Sequence, residues 1–163
     1  MVYLIDYENV GVHGLDGLSK LTEGDEVCIF YSDKADTLTF SLHKKLQEAK
    51  ATISYRKVET GAKNALDFQL ATYLGYLIGI NRDNQKDYCV VSKDKGFEAL
   101  ACYWKKQKIT VRMVVDCTNP EAAETAESIQ AGNPEQAPVT KQQTPAPKKD
   151  RLENSTNQQP QAA

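Results

Sequence analysis

Asp6, Asp67 and Asp94 are the residues of this chain whose type and placement could do chemistry. Asp6 ends the apolar run Val2-Tyr3-Leu4-Ile5. Asp67 falls in the first turns of an apolar helix opened by Asn64, and Asp94 follows the strand-like Tyr88-Cys89-Val90-Val91. Open α/β sheets bind ligands beyond the carboxyl ends of their parallel strands, and all three positions belong to that edge. Carboxylates gathered there repel one another unless a divalent cation or a shared proton relieves them. Mg²⁺ and Mn²⁺ prefer such hard oxygen ligands and keep waters beside one or two carboxylates. A metal so held polarises a phosphoryl oxygen and supplies a hydroxide nucleophile, and a second one would stabilise the leaving oxygen as well. Metal-assisted phosphodiester chemistry is the expectation.

Each acid also has an ordinary structural role open to it. Asp6 could cap a turn, Asp67 could partner Asn64 in a capping box, and Asp94 could cap the helix that follows it. Three independent caps, however, have no reason to converge on one edge. Asn9 is placed to hold Asp6 by a side-chain hydrogen bond or to serve the turn, and Glu8 is a fourth carboxylate or a solvent-facing one. Lys34, Lys63, Lys93 and Lys95 all fall in segments assigned to this edge, where they could attract a phosphate or could be ordinary surface lysines.

The elements that must position these residues alternate between strand and helix. Strands are expected at Val2–Asp6, Glu26–Tyr31, Thr52–Val58, Tyr88–Ser92 and Ile109–Val115. Val27-Cys28-Ile29-Phe30 is the continuous apolar run of a doubly covered parallel strand. The third strand alternates more and belongs near an edge. Helices are expected around Leu15–Leu21, from a Ser32 or Asp33 cap through Ala51, from Asn64 to about Ile80, and over Phe97–Gln107. Leu38, Leu42 and Leu46 repeat at helical spacing in the second of these, and Leu66, Leu70, Tyr73, Leu74 and Leu77 form a stripe in the third. Right-handed crossovers then give a three-layer α/β/α fold around a mainly parallel five-stranded sheet. Strand one is central, with strands two and three on one side and four and five on the other, so Asp6 lies at the topological switch point.

The chain has 163 residues, with 20 basic and 22 acidic side chains. Residues 1–117 carry 16 of each sign, and the remainder 4 and 6. A neutral body lacks the broad positive footprint of a high-affinity nucleic-acid binder, so any such contact must come from a local patch. Cys28, Cys89, Cys102 and Cys117 form no CxxC pair and are expected as reduced, structural thiols. No stretch has the length and apolarity of a membrane span, no signal peptide is recognised, and a cytoplasmic location without membrane contact is expected. Domain organisation is expected as a folded unit over residues 1–117 and a disordered low-complexity tail over 118–163, rich in Pro, Gln, Ala, Thr and Asn.

Three blocks, Leu4-Ile5-Asp6-Tyr7-Glu8-Asn9-Val10, Lys63-Asn64-Ala65-Leu66-Asp67-Phe68-Gln69-Leu70 and Val90-Val91-Ser92-Lys93-Asp94-Lys95-Gly96-Phe97, stand in the order and spacing of the PIN-like superfamily. Within it the chain resembles the NYN group of metal-dependent ribonucleases, over roughly residues 1–116. The resemblance implies a Rossmann-like PIN fold and Mg²⁺- or Mn²⁺-dependent cleavage, usually of RNA. Asp6, Asp67 and Asp94 match the family's metal-site acids, Asn9 its companion amide, and Ser92 the small hydroxyl residue two positions before the last acid. The chain departs at Gly96, where many relatives carry a further Asp, leaving one ligand fewer unless Glu8 or Glu59 substitutes.

The resulting expectation is an endoribonuclease with catalytic residues Asp6, Asn9, Asp67 and Asp94, the three acids holding the metal. Asn9 and Ser92 would orient those ligands or the scissile phosphate, and Ser92, Lys34, Lys63, Lys93 and Lys95 would contact the nucleic acid. RNA is the expected substrate, DNA is left open, and a homodimer or a protein partner through the tail is left open too. An aspartyl-phosphate phosphatase would want a second Asp where Glu8 stands, and a receiver domain would need paired acids and a late strand-end lysine. The stronger alternative is a PIN-like module that binds RNA or protein with little or no catalysis, favoured by Gly96 and the neutral charge.

Overall fold

The computed structural model describes residues 1–58, 62–84 and 86–118. Five strands, β1 (Val2–Asp6), β2 (Glu26–Ser32), β3 (Thr52–Val58), β4 (Tyr88–Val91) and β5 (Val111–Val114), form one parallel sheet in the order β3-β2-β1-β4-β5. The order and the central place of β1 are those expected. In the β1 ladders Leu4 faces Cys28 on one side and Val90 on the other.

Period-two alternation along the strands sends side chains to two cores. Val2 and Leu4 join Cys28, Phe30 and Val90 beneath helices α3 (Ala65–Ile80) and α4 (Glu98–Lys106). Tyr3 and Ile5 join Val27, Ile29 and Val91 on the other face. There they meet the short α1 (Tyr7–Val10), the 3₁₀ turns Gly11–Leu15 and Leu18–Lys20, and α2 (Phe40–Glu48). All five residues of β1 are buried, as a strand covered on both faces must be.

Several local expectations need correction. The segment after β2 is two pieces, not one helix. The Ser32 hydroxyl accepts from the Lys34 amide and caps only the 3₁₀ turn Asp33–Ala35. Thr39, whose Oγ1 accepts from the Leu42 amide at 3.2 Å, starts α2 afresh. Leu42 and Leu46 are buried, but Leu38 precedes the helix and is exposed. The helix expected at Leu15–Leu21 is replaced by the two 3₁₀ turns, and α1 begins directly after β1. Asn64 sits at the N-terminus of α3 in a left-handed conformation (φ 60°) and makes no side-chain cap hydrogen bond. A non-glycine residue there is tolerated because Asn is among the side chains that enter this region most readily.

No helix among the described residues is long and apolar enough to cross a membrane. The expected disordered tail, apart from Thr118, together with Glu59 and Gly61, lies outside the described residues.

Candidate nuclease site at the carboxyl edge of the sheet

Asp6 is the last residue of the central strand, and its side chain is almost wholly buried. Its chemistry follows from that position. Withdrawal from water pushes its pKa up from 3.8 to about 6, and the nearby charges of Asp67 and Glu8 push in the same direction. Two groups oppose the rise. The Ser92 hydroxyl donates to Asp6 Oδ2 at 2.8 Å, and the backbone N–H of Asn9, aimed at the carboxylate without completing a cap bond, favours the ionised form. Ser92 in turn accepts from the Asp94 amide at 3.0 Å, so one buried hydroxyl ties the first acid to the segment carrying the last.

A cavity of about 390 Å³ opens at this edge, lined by Asp6, Glu8, Asn9, Asp67 and Asp94 among others. Five acids line it: Asp6 at the end of β1, Glu8 at the start of α1, Asp33 in the 3₁₀ turn after β2, Asp67 in the first turn of α3 and Asp94 in the turn after β4. Asp33 is paired with Lys57. The Asp67 carboxyl makes no hydrogen bond among the described residues, so the capping-box role is not the one it plays. Partial burial raises its pKa first, and the charges of Asp94 and Glu8 add to the rise. Asp94 does both things its sequence allows. It lines the cavity, and its Oδ1 accepts from the Gly96 amide at 2.8 Å, capping the 3₁₀ turn Lys95–Phe97.

Lys34 and Lys63 also line the cavity, whereas Lys93 and Lys95 are exposed and take no part in its lining. Ser92 is buried under Asp6, so it reaches the acid rather than a bound strand. Asn9 lines the cavity but reaches Asp6 through its backbone; the side-chain bond expected of it is made by Ser92 instead. Glu8 faces the cavity and is held there by the Ser32 hydroxyl, which donates to it, with Lys34 Nζ 4.0 Å away. Ser32 and Asp33 were expected as helix caps and not as site residues; the signal for a place at the site is their position at the end of β2, beside the end of β1.

A family model for the PIN domain matches residues 1–114. The chain belongs to the PIN-domain family. That membership supports nuclease function in general, since PIN domains are typically nucleases that work with divalent metals. No curated protein and no solved structure matches the chain.

Whether this PIN domain's residues suit a divalent ion can be tested on its donor set. The cavity is lined by carboxylates, two Asn residues and Ser32, with no His or Cys, which suits a hard ion that prefers oxygen. Burial is the main cause of the raised pKa values of Asp6 and Asp67, and the smaller repulsion among neighbouring acids that adds to it is what such an ion would relieve. Among the described residues, however, no three His, Cys, Asp or Glu side chains stand close enough to close directly around one ion. The chemistry of the donors therefore fits, through waters that Mg²⁺ in particular retains, while a dry cage of protein ligands does not.

Proposed function

We propose that this PIN domain is an NYN-type, metal-dependent endoribonuclease acting at the Asp6–Asp67–Asp94 edge. One observation carries the reading: a buried strand-end carboxyl, raised to about 6, shares one open cavity with four further acids. A purely structural domain has no use for five carboxylates around a single hollow. Asp6, Asp67 and Asp94 would hold Mg²⁺ or Mn²⁺, directly or through water, and Glu8 stands where it can supply the oxygen that Gly96 does not. When bound, the metal supplies Lewis-acid activation of the phosphodiester and of the attacking water.

The chain's own groups do the rest. Ser92 fixes the orientation of Asp6 and favours its ionised, ligating form. Lys34 and Lys63 at the rim attract the phosphate backbone into a cavity whose acids would otherwise repel it. Asn9 offers an amide to the scissile phosphate or to a liganded water. RNA is the proposed substrate, cleaved in the cytoplasm.

A second reading, a binding module with slow or no cleavage, is favoured by two observations. Gly96 contributes no acid, and Asp94 is already occupied with the Gly96 amide. End-labelled single-stranded and hairpin RNA, incubated with Mn²⁺, Mg²⁺ or EDTA beside Asp94→Asn, separates the two. Metal-dependent cleavage lost in the variant supports the nuclease. Cleavage equal in both proteins means another site or a contaminant, and no cleavage by a folded protein favours the binding module.

A further inference from the structure

Helix α3 is apolar on more than the side it buries. Leu66, Leu70, Leu74 and Leu77 face the sheet, yet Phe68 is 70 % exposed and Tyr76 59 %. Helices with apolar residues all round are normally covered all round. Phe68, Thr72 and Tyr76 follow one another at four-residue spacing and so share one face of the helix. That face borders an open groove of about 700 Å³ against the edge strand β3, walled by Phe30, Tyr55, Arg56 and Lys57 on the strand side.

The groove's composition separates it from the acidic cavity. On the α3 side of the sheet it holds the side chains of Phe30, Phe68, Tyr73 and Tyr76 with Arg56, Gln69 and Thr72, and no carboxylate. Tyr55 and Lys57 border it from β3 positions whose side chains, like those of their register partners Ile29 and Tyr31, belong to the opposite face. Its inner part is already ordered. The Arg56 guanidinium carbon lies 3.7 Å from the centroid of the Tyr73 ring, and Arg56 donates to the Tyr73 hydroxyl at 2.5 Å. Tyr76 stacks on Tyr73 with centroids 5.9 Å apart and ring planes 29° from parallel, and Phe30 meets Tyr73 edge-on at 5.8 Å. Among the described residues no carboxylate pairs with Arg56. Lys57 is bound to Asp33 and Asp36, which leaves Arg56 as the groove's unneutralised charge.

We propose that this groove is a binding track for a single strand of nucleic acid, whose bases stack on Phe68 and Tyr76 while Arg56 meets the backbone. The inference rests on the nuclease reading for its direction, since the track leads into the acidic cavity. Phe68 directly follows Asp67, and Lys57 directly precedes Val58, which lines that cavity. From Phe68 to Tyr76 the helix advances about 12 Å, a distance that a few nucleotides of an extended strand cover. Aromatic platforms interleaved with cations are how single strands are held without sequence choice, because every base presents a stacking face. Aromatic residues and Arg also occur at protein interfaces; the groove's lack of carboxylates and its place beside the acidic cavity are what favour a nucleic-acid strand over a second copy. A duplex keeps its bases stacked inside and cannot use the rings.

The test is fluorescence anisotropy with a short labelled single-stranded RNA in EDTA, where no cleavage occurs, using the full chain. Phe68→Leu and Tyr76→Ala are each expected to weaken binding about tenfold or more, Tyr76→Phe to bind as the parent does, and Arg56→Gln to reduce the salt dependence. Both truncations are at exposed positions, and unchanged melting temperatures will show that the fold is intact. Binding of double-stranded RNA should be weak and insensitive to the substitutions. If the protein cleaves RNA, Tyr76→Ala should raise KM and leave kcat unchanged.

Parent-like single-strand binding by both truncated variants overturns the track. So does a concentration-dependent dimer of the parent that Tyr76→Ala disperses, because the groove would then hold a second copy. The two readings fail separately: intact groove-dependent binding without metal-dependent cleavage sinks only the nuclease, and cleavage with groove variants unchanged in KM sinks only the track.

Discussion

Replacing Asp6 with Asn should stabilise the metal-free protein, and only above mildly acidic pH. In the folded chain the carboxyl titrates near 6, against 3.8 for the unaffected group, because burial and the charges of Asp67 and Glu8 disfavour ionisation. Between those values the folded state holds a proton that the unfolded chain has lost. Wild-type stability therefore falls as pH rises from about 4 through 6 and is flat above. At about 1.4 kcal/mol per pH unit, the loss amounts to roughly 3 kcal/mol. Asn has no proton to lose, and its side-chain oxygen can still accept from the Ser92 hydroxyl that now bonds Asp6 Oδ2. Urea denaturation in EDTA should accordingly find the two proteins about equal at pH 4 and the variant more stable, by up to roughly 3 kcal/mol, at pH 8. Adding Mn²⁺ should raise the stability of the wild type more than that of Asp6→Asn, since only a ligand that prefers the folded site can do so. The same stability difference at both pH values, or a variant less stable at both, would refute the argument that Asp6 is a desolvated charge awaiting a cation.

Other perturbations follow from the same contacts. Ser92→Ala removes the donor to Asp6 and the acceptor of the Asp94 amide, and should cost about 1–3 kcal/mol by denaturation. It should also move the onset of metal-dependent cleavage to higher pH, because the hydroxyl is what holds the Asp6 pKa down; an unmoved pH profile would contradict this. Thr39→Ala removes the cap of α2 and should cost about 1 kcal/mol without altering the cleavage rate, as Thr39 is not part of the cavity lining. Burial drives the Cys89 and Cys117 thiols to about 12 and raises Cys28 as well, leaving Cys102 half-exposed. A thiol reagent at neutral pH should therefore modify Cys102 quickly and the others only after unfolding, with mass spectrometry locating the label.

The sheet was legible because apolar runs are hard to place except as covered strands, and β3 was legible as an edge because its residues alternate where β1 and β2 run continuously apolar. The helices were less so, for local reasons. Ser32 and Asp33 are good caps in isolation, but the chain uses Ser32 for one 3₁₀ turn and for holding Glu8, and Thr39 starts the helix. Asn64 carries a good capping side chain in a backbone conformation that prevents its use. At the site, strand order puts Asp6 and Asp94 at one edge, and the start of α3 after β3 brings Asp67 to the same edge. Ser92 and Asn9 were both expected to orient the acids or the scissile phosphate. Ser92, 86 residues away, reaches Asp6 with its hydroxyl because β1 pairs with β4, and Asn9, though near in sequence, reaches it through its backbone. Which lysines line the cavity depends on how loops fold over the strand ends, and spacing carries no information about that.

Because β1 lies between β2 and β4, its last flank is closed by a strand that leaves a ribosome well after it. A growing chain that stops before Tyr88 already contains Asp6, Glu8 and Asp67 but has neither the strand that seals β1 nor the hydroxyl that aims its carboxylate. The acidic edge is therefore completed late in synthesis, and a partly made chain carries the reactive groups without the architecture that assembles them.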